Sequence, residues 1–206
     1  MQKLYVRWAF LCALTSLLII SCAGSGKVAT RTEQSNGTST QAADAKVPDS
    51  ARQQYDDAIA AMRSGNIAQA KNILSNLTKA YPDLAGPYVN LGIIHFRADE
   101  IDQAEQAFRQ ALKVNPENAV SLNHLGIINR GKGNFEEART DYEKALEIDP
   151  NYAYAHLNYG ILLDLYLGEL ENALKHYQKF QELAPEQDKE VANWIVDLER
   201  RIKRAN

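Results

Sequence analysis

Residues 85–118 read AGPYVNLGIIHFRADEIDQAEQAFRQALKVNPEN, and residues 119–152 read AVSLNHLGIINRGKGNFEEARTDYEKALEIDPNY. When the two stretches are aligned, small residues, large apolar residues and a proline recur at the same places, 34 residues apart. Gly92 is matched by Gly126, for example, and Pro116 by Pro150. A fixed period of this length is typical of proteins that are built from stacked copies of one supersecondary unit.

The same step continues on both sides of this pair of stretches. One position holds a small residue, at Ala70, Ala104, Ala138 and Ala173, and the last step is 35 residues instead of 34. Two further positions follow the same steps, with Leu74, Phe108, Tyr142 and Tyr177 at one and Pro82, Pro116, Pro150 and Pro185 at the other. The pattern therefore covers four units, the last of which contains one extra residue near positions 165–168.

This set of residues resembles the tetratricopeptide repeat family. The residues that carry the resemblance are Tyr88, Leu91, Gly92, Ala104, Phe108, Ala111 and Pro116, then Leu122, Leu125, Gly126, Ala138, Tyr142, Ala145 and Pro150. The resemblance implies an all-α fold, a right-handed α-solenoid of about four helical hairpins. We predict repeats at 51–84, 85–118, 119–152 and 153–187, within a repeat region of 49–187.

Physical chemistry explains why these residue types recur. Gly92 and Ala104 would lie on the two helices of one hairpin, where small side chains let the backbones approach and Phe108 fills the space beside them. The proline ends the second helix, and the loop turns into the next hairpin. Because one hairpin cannot bury its apolar face alone, neighbouring hairpins are expected to stack.

Residues 188–206 are predicted to form a C-terminal capping helix. Its apolar residues fall on one helical stripe, made of Val191, Ala192, Ile195, Leu198 and Ile202. The basic residues from Arg200 to Arg204 lie in its last turns, where cations interact favourably with the helix dipole. Contact of this basic cluster with lipid or cell wall is the alternative interpretation.

The first residues of the sequence predict the cellular location of the protein. Lys3 and Arg7 precede a short apolar stretch, 8–20, that ends at Ser21-Cys22. We interpret residues 1–21 as a signal peptide, because the stretch is shorter than the roughly 20 residues of a membrane-spanning helix. The sequence before Cys22 resembles the lipobox of bacterial lipoproteins, which implies lipidation of Cys22 and cleavage before it. An uncleaved signal anchor and an ordinary secretory signal with a coincidental cysteine remain alternatives.

Residues 22–48 are predicted to be a lipidated cysteine followed by a disordered linker, because they are rich in small and polar residues and almost free of large apolar ones. The resemblance to bacterial lipoproteins implies that the protein lies in the cell envelope, anchored by lipid at the outer membrane and facing the periplasm. The reason is the residue after Cys22, which is Ala23 and not the aspartate that commonly retains lipoproteins at the inner membrane. This location assumes a cell with two membranes.

The first helix of each hairpin is expected to line a concave groove that binds a protein or an extended peptide. One row of groove positions is apolar, at Ile59, Ile93, Ile127 and Ile161. A second row is polar, at Asp56, Asn90, His124 and Asn158, where asparagine side chains would hydrogen-bond a peptide backbone. The other candidates are Tyr55, Met62, Val89, Phe96, Arg97, Asn123, Arg130, Tyr154, Leu157 and Asp164. Packing between neighbouring helices is the alternative for the isoleucines, and ordinary polar surface is the alternative for the asparagines.

A basic clamp for an acidic chain terminus is not predicted. The family's clamp needs basic residues at positions that Val89, Asn123 and Leu157 occupy here. The positive charges of Arg97 and Arg130 could nevertheless bind an acidic partner.

The sequence contains no sign of catalysis or of nucleic-acid binding. A net charge of −3 gives no field that would attract nucleic acid. No phosphate-binding loop, zinc-type cluster or nucleophile elbow occurs, and the histidines at 95, 124, 156 and 176 lack the spacing of metal ligands, so His95 and His124 are interpreted as polar lining. We therefore predict neither catalytic residues nor a metal or cofactor.

The function predicted from the sequence is that of a scaffold or adaptor in an envelope assembly, for example pilus and secretin assembly or cell-wall machinery. Repeat lipoproteins of similar architecture serve in both settings. The alternative is a passive structural or self-associating lipoprotein whose groove is filled by its own chain. The sequence leaves the partner and the oligomeric state open.

Overall fold

The computed structural model describes residues 47–205. The predicted signal peptide, the lipidated Cys22 and nearly all of the predicted linker lie outside these residues. The described chain forms helices α1 (Asp49–Arg63), α2 (Ile67–Ala80), α3 (Ala85–Arg97), α4 (Ile101–Val114), α5 (Ala119–Lys132), α6 (Phe135–Ile148), α7 (Ala153–Leu162), α8 (Leu170–Leu183) and α9 (Lys189–Ala205). Within this range, no helix is both long enough and apolar enough to cross a membrane.

The helices α1 to α8 form four antiparallel hairpins, and we call the first helix of each hairpin helix A and the second helix B. The most extensive contacts are those between the two helices of a hairpin, and each helix B also packs on the helix A that follows it. The apolar residues between the hairpins form a series of small cores, as expected for repeats that bury surface only against their neighbours. The predicted all-α solenoid is thereby confirmed.

A glycine on helix A faces an aromatic ring on helix B in each of the last three hairpins. A Cβ atom placed on Gly92 would lie 2.6 Å from the ring of Phe108, and one on Gly126 would lie 2.6 Å from the ring of Tyr142. Gly160 meets Tyr177 in the same way, at 2.7 Å. These distances are far inside van der Waals contact, so the ring can occupy its site only because the glycine has no side chain.

The turn between helices A and B contains one residue with left-handed backbone geometry in every hairpin. Gly65, Gly133 and Gly168 have φ angles of 79°, 81° and 71°, and Asp99 occupies the same place in the second hairpin with φ 60°. A left-handed residue after a helix lets the chain reverse while the last carbonyl groups still accept hydrogen bonds. Glycine adopts this geometry without steric cost, whereas Asp99 adopts it at a cost of about 1–2 kcal/mol.

The extra residue of the fourth repeat is accommodated by a π-helical turn, Leu163–Leu167, at the end of α7. In the first three hairpins, the amide that follows the left-handed residue donates to a carbonyl five residues earlier, as Asn134 does to Asn129 at 2.9 Å. In the fourth hairpin, the amide of Glu169 donates to Leu163, six residues earlier, also at 2.9 Å. The insertion therefore widens the end of helix A and leaves the hairpin closed.

Helix α9 follows the pattern of a fifth helix A. It contacts α8 as extensively as α5 contacts α4 and α7 contacts α6. Its buried residue Leu198 lies 35 residues after the buried Leu163, and that step matches the length of the fourth repeat. At the same step after Gly160 stands Ile195, which packs in the C-terminal core. Because no helix B follows in the described chain, a large side chain is accommodated where the last three hairpins have glycine and the first has alanine.

Candidate functional site

One stripe of each helix A points away from the hairpin core. In α3, for example, Gly86, Asn90, Ile93 and Arg97 are separated by four, three and four residues, which places them on one side of a helix. They stand six and two residues before, and one and five residues after, Gly92. We call the corresponding stripes of α1, α3, α5, α7 and α9, counted from Ala58, Gly92, Gly126, Gly160 and Ile195, the helix-A face.

The predicted isoleucine row lies on the helix-A face and is half-buried in every repeat, at Ile59, Ile93, Ile127 and Ile161. Ile127 and Ile161 pack against the C-terminal core, and Ile93 packs against the core around Phe108. These side chains therefore fill space between repeats and also expose part of their surface. The isoleucines can therefore pack between the repeats and also form the apolar floor of the groove.

The two asparagines of the polar row bridge to the preceding helix A. The side-chain nitrogen of Asn90 donates to the hydroxyl of Tyr55 at 2.7 Å and to the carbonyl of Gly86 at 3.1 Å. The side-chain nitrogen of Asn158 donates to Oδ1 of Asn123 at 3.1 Å. Among the described residues, Oδ1 of Asn90 and Oδ1 of Asn158 accept no hydrogen bond, and both residues are partly exposed. Each therefore presents a carbonyl oxygen that can accept an N–H group of a bound chain.

His124 does not serve as an open polar position, which corrects its interpretation as polar lining. Its ring stacks on Phe108 at 4.7 Å and meets the edge of Phe96 at 5.6 Å. Nδ1 lies 2.8 Å from the carbonyl of Val120. Burial lowers the pKa of His124, since the charged form would lose its hydration. The residue packs as a neutral ring between the second and third repeats.

Three predicted groove residues are buried, so the expectation that they line an open groove is wrong. Val89, Asn123 and Leu157 stand three residues before the packing glycine and lie beside the helix-A face instead of on it. Asn123 shows the reason, because it accepts the hydrogen bond from Asn158 of the next helix A. This position forms the contact between neighbouring helices A, and sequence spacing alone did not distinguish the contact from the adjoining open stripe.

The remaining predicted residues divide into supporting and exposed groups. Tyr55 is half-buried, and burial raises the pKa of its hydroxyl group. Arg130 donates to the backbone carbonyl of Asn158 at 3.1 Å and so joins the third and fourth repeats. Met62 and Phe96 are partly buried, whereas Arg97 and Tyr154 are exposed. Asp164 is held by Arg201 of α9 at 2.7 Å.

The helix-A face also includes residues that the sequence analysis missed. Arg52 and Arg63 are its exposed ends on α1, and Leu165 is its exposed end after α7. Asn193, Val196 and Arg200 continue it on α9, and all three are exposed. The 34- and 35-residue steps place all six residues at equivalent positions, but the sequence prediction followed the open stripe only near the packing position and assigned α9 to a cap.

Two open clefts lie where helices A begin. One, of about 450 Å³, is lined by Arg52 and Tyr55 of α1 and by Gly86 and Pro87 of α3, among others. The other, of about 360 Å³, lies between Tyr154, Phe180 and the loop that leads to α9. Both clefts border the helix-A face, so they offer recesses for side chains of a bound chain.

A histidine pair in the fourth hairpin also escaped the sequence analysis. Nδ1 of His156 lies 2.9 Å from Nδ1 of His176, and the ring of His176 lies 4.6 Å from that of Tyr159. Burial, with the nearby charges of His156 and Lys175, lowers the pKa of His176 to about 4. Among residues 47–205, no group of three or more histidine, cysteine or acidic side chains is arranged to hold a metal ion. The hydrogen bond between the two rings joins α7 to α8.

Comparison with protein families matches residues 89–153 and residues 141–175 to tetratricopeptide repeats. These ranges run from the second to the fourth hairpin. Comparison with curated protein sequences gives no match.

Solved structures of similar fold include two bacterial proteins and one repeat domain with a bound peptide. PilF of Pseudomonas aeruginosa is 24% identical with a TM-score of 0.65, and the match covers 76% of this chain and 71% of that one. PilW, described as a widely conserved type IV pilus biogenesis factor, is 25% identical with a TM-score of 0.59, and the match covers 68% of this chain and 64% of that one. The first repeat domain of Spaghetti (RPAP3), solved with an HSP90 peptide, is 22% identical with a TM-score of 0.53, covering 58% and 93%.

Proposed function

We propose that this chain, a solenoid of tetratricopeptide repeats, is a scaffold that binds an extended segment of another protein on its helix-A face and performs no catalysis. The observation that carries the proposal is the pair Asn90 and Asn158. Each is fixed by a hydrogen bond to the neighbouring helix A and each keeps a carbonyl oxygen available. Because both amides are held in place by the fold, little side-chain entropy is lost when a partner binds.

The binding mode follows from the chemistry of the face. Oδ1 of Asn90 and Oδ1 of Asn158 would accept backbone N–H groups, which allows recognition with little dependence on the partner's sequence. The half-buried isoleucines would contact its apolar side chains. Arg52, Arg63 and Arg97 are exposed and form no ion pair within the described chain, so they would favour a partner with acidic residues.

The structural neighbours support the class of partner and the setting. The repeat domain of RPAP3 has this fold and was solved with an HSP90 peptide bound to it. PilF and PilW have this fold, and PilW is described as a type IV pilus biogenesis factor. We accordingly propose that the scaffold acts in an envelope assembly, with pilus and secretin assembly or cell-wall machinery as the leading settings.

The proposed location is the outer membrane, with the repeats facing the periplasm and the anchor at Cys22. The support is the basic and apolar sequence before Cys22 and the resemblance to a lipobox. Since two or more acyl chains anchor a protein stably, the lipid alone would suffice. The substitution Cys22→Ser should release the protein from washed membranes and block signal processing. Wild-type-like membrane association together with normal processing of the variant would contradict the anchor.

Crosslinking in cells tests the binding face directly. A photoreactive amino acid at position 90 or 158 of the full-length chain should give a crosslinked product with a defined partner, identified by mass spectrometry. The same amino acid at Gln106 or Lys144, which are exposed on helices B, serves as the matched control. Crosslinks from the helix-B positions, with none from positions 90 and 158, would move the binding site to the opposite side of the hairpins.

A further inference from the structure

Helix α9 extends the helix-A face by one further stripe. Asn193 follows Asn158 by 35 residues, and Val196 follows Ile161 by the same step. The opposite side of α9 is buried at Val191 and Leu198, so the stripe of Asn193, Val196 and Arg200 must point outward. The ion pair of Arg201 with Asp164 holds α9 beside the end of α7. The polar row and the apolar row therefore both continue onto the last helix.

Exposed apolar side chains concentrate at this end of the molecule. Of the six large hydrophobic residues that are exposed among residues 47–205, four lie between positions 154 and 196. Leu165, which the π-helical turn presents, is 65% exposed, and Val196 is 45% exposed. Both belong to the helix-A face. The other two of the six, Ile67 and Ile148, lie at the ends of helices B.

The last position of each stripe of the helix-A face differs in chemistry between the repeats. At the place of Leu165, five residues after the packing position, the first and second repeats have Arg63 and Arg97. Both arginines are exposed and have no acidic partner among the described residues. The stripes of α1, α3 and α9 thus end in an exposed arginine, whereas the stripe of α7 ends in the exposed apolar side chain of Leu165.

We propose that Leu165 and Val196, with Ile161 between them, form an anchor site for a bulky aliphatic or aromatic side chain of an extended partner segment that also carries acidic residues. In this view α9 is the last wall of the binding face as well as a cap. The inference rests on the proposed binding function and specifies where its apolar contact is made. The side-chain amides of Asn158 and Asn193 lie about one helical turn before Ile161 and Val196, so they are placed to hold the partner backbone beside the anchor.

The dimensions and charges of the site favour a peptide over other occupants. A stable contact with a second copy would bury roughly 800 Å² on each partner, far more than two side chains on neighbouring helices provide. Insertion of Val196 into a bilayer would take the exposed carboxylates of Asp197 and Glu199, which lie beside Val196 and Arg200, out of water at a cost in free energy. An extended segment needs only the stripe itself, and its acidic residues would find the unpaired arginines at the other end of the described face.

A random peptide library displayed on phage supplies the probe, selected on the full-length protein in detergent. The selected peptides should share bulky apolar and acidic residues. Leu165→Asp and Val196→Asp should each weaken their binding by about 10-fold or more, the effect expected when one apolar anchor is lost. Ile67→Asp and Ile148→Asp are the matched controls, because these isoleucines are similarly exposed but lie outside the helix-A face. Equal melting temperatures would establish that all four variants are folded.

The outcomes separate this inference from the proposed function. If the peptides bind Leu165→Asp and Val196→Asp as tightly as wild type but lose affinity with Asn90→Ala or Asn158→Ala, the binding face stands and the anchor site is overturned. If the wild type selects no peptide, both are overturned as peptide-binding proposals. If Leu165→Asp and Val196→Asp instead abolish binding to phosphatidylglycerol vesicles, or convert a dimer to a monomer in light scattering, the occupant is a bilayer or a second copy and the anchor proposal fails.

Discussion

At the scale of single residues, the packing within the hairpins depends on glycines, which have no side chain. Gly92, Gly126 and Gly160 leave room for an aromatic ring from helix B, and the rings of Phe108 and Tyr142 are fully buried there. The sequence predicted this arrangement in the first of these hairpins, because glycine and aromatic residues recur in step. It could not predict that His124 joins the stack of Phe96 and Phe108, since that contact crosses from one repeat to the next.

A pair of glycine substitutions in α5 should have opposite effects. We expect Gly126→Ala to destabilise the fold by about 1–2 kcal/mol, because overpacking against Tyr142 outweighs the better helix propensity of alanine. Gly131→Ala, in the same helix with nothing within 4 Å of the added Cβ, should stabilise it by about 0.5–1 kcal/mol. Urea unfolding monitored by circular dichroism measures both. Stabilisation by Gly126→Ala equal to that by Gly131→Ala would show that the ring of Tyr142 is not tightly packed.

The lowered pKa of His176 makes stability depend on pH. Between about pH 6.5 and pH 4 the unfolded chain binds a proton at this residue and the folded chain does not, so stability should fall as the pH is lowered through this range. His176→Gln should flatten the dependence of the urea midpoint between pH 7 and pH 5. Glu100, Glu105 and Glu169 have lowered pKa values and lose their contribution only below about pH 4.5, outside the tested interval. An unchanged slope in the variant would refute the assignment.

At the scale of helices, the fourth hairpin shows what one inserted residue does. The sequence located the insertion near positions 165–168, because the spacing of the alanines and aromatics increases there by one. It did not predict that the end of α7 would become a π-helical turn, since a longer loop would have given the same spacing. The choice is made by tertiary contacts, which keep Leu163 buried and Asp164 paired with Arg201. π-Helical turns occur often at functional sites, and here the turn presents Leu165.

Helix α9 should contribute to stability through its buried side only. Leu198→Ala should cost about 2–4 kcal/mol, because Leu198 is fully buried in the C-terminal core and truncation leaves a cavity. Val196→Ala, half a turn away and exposed, should cost less than about 0.5 kcal/mol. Chemical denaturation of both variants gives the comparison. A small effect of Leu198→Ala would mean that α9 is only loosely attached.

At the scale of the whole molecule, the four helical hairpins of residues 47–205 confirm the predicted all-α solenoid, and the matches to tetratricopeptide repeats cover residues 89–175 of it. The 34-residue step was enough for that prediction, because the hairpins pack similar residue types at equivalent positions. The binding face was predicted less well. The prediction placed three buried residues in the groove, Val89, Asn123 and Leu157, which lie one helical position away from the open stripe. The spacing of residues does not show which side of a helix A contacts the neighbouring repeat, so it could not separate these positions from the open ones.

Stacking should make the middle of the array the most protected from exchange with solvent. Helices α5 and α6 are packed on both sides, whereas α1 has a neighbouring hairpin on one side only within the described chain. In repeat arrays, stability depends on such interfaces, so opening should begin at the ends. Hydrogen–deuterium exchange should be slowest in α5 and α6 and fastest in α1. Uniform protection along the chain would indicate a single all-or-none unit.

Ile195 also limits where a further repeat could be added to the array during evolution. A duplicated hairpin inserted before Asp188 would find a neighbour of the usual kind on each side, and α9 would still close the new stack. A helix B added after α9 would have to pack where the side chain of Ile195 already lies, at the position that holds alanine or glycine in the four hairpins. Lengthening by duplication is therefore favoured inside the molecule and disfavoured after α9, unless a small residue first replaces Ile195.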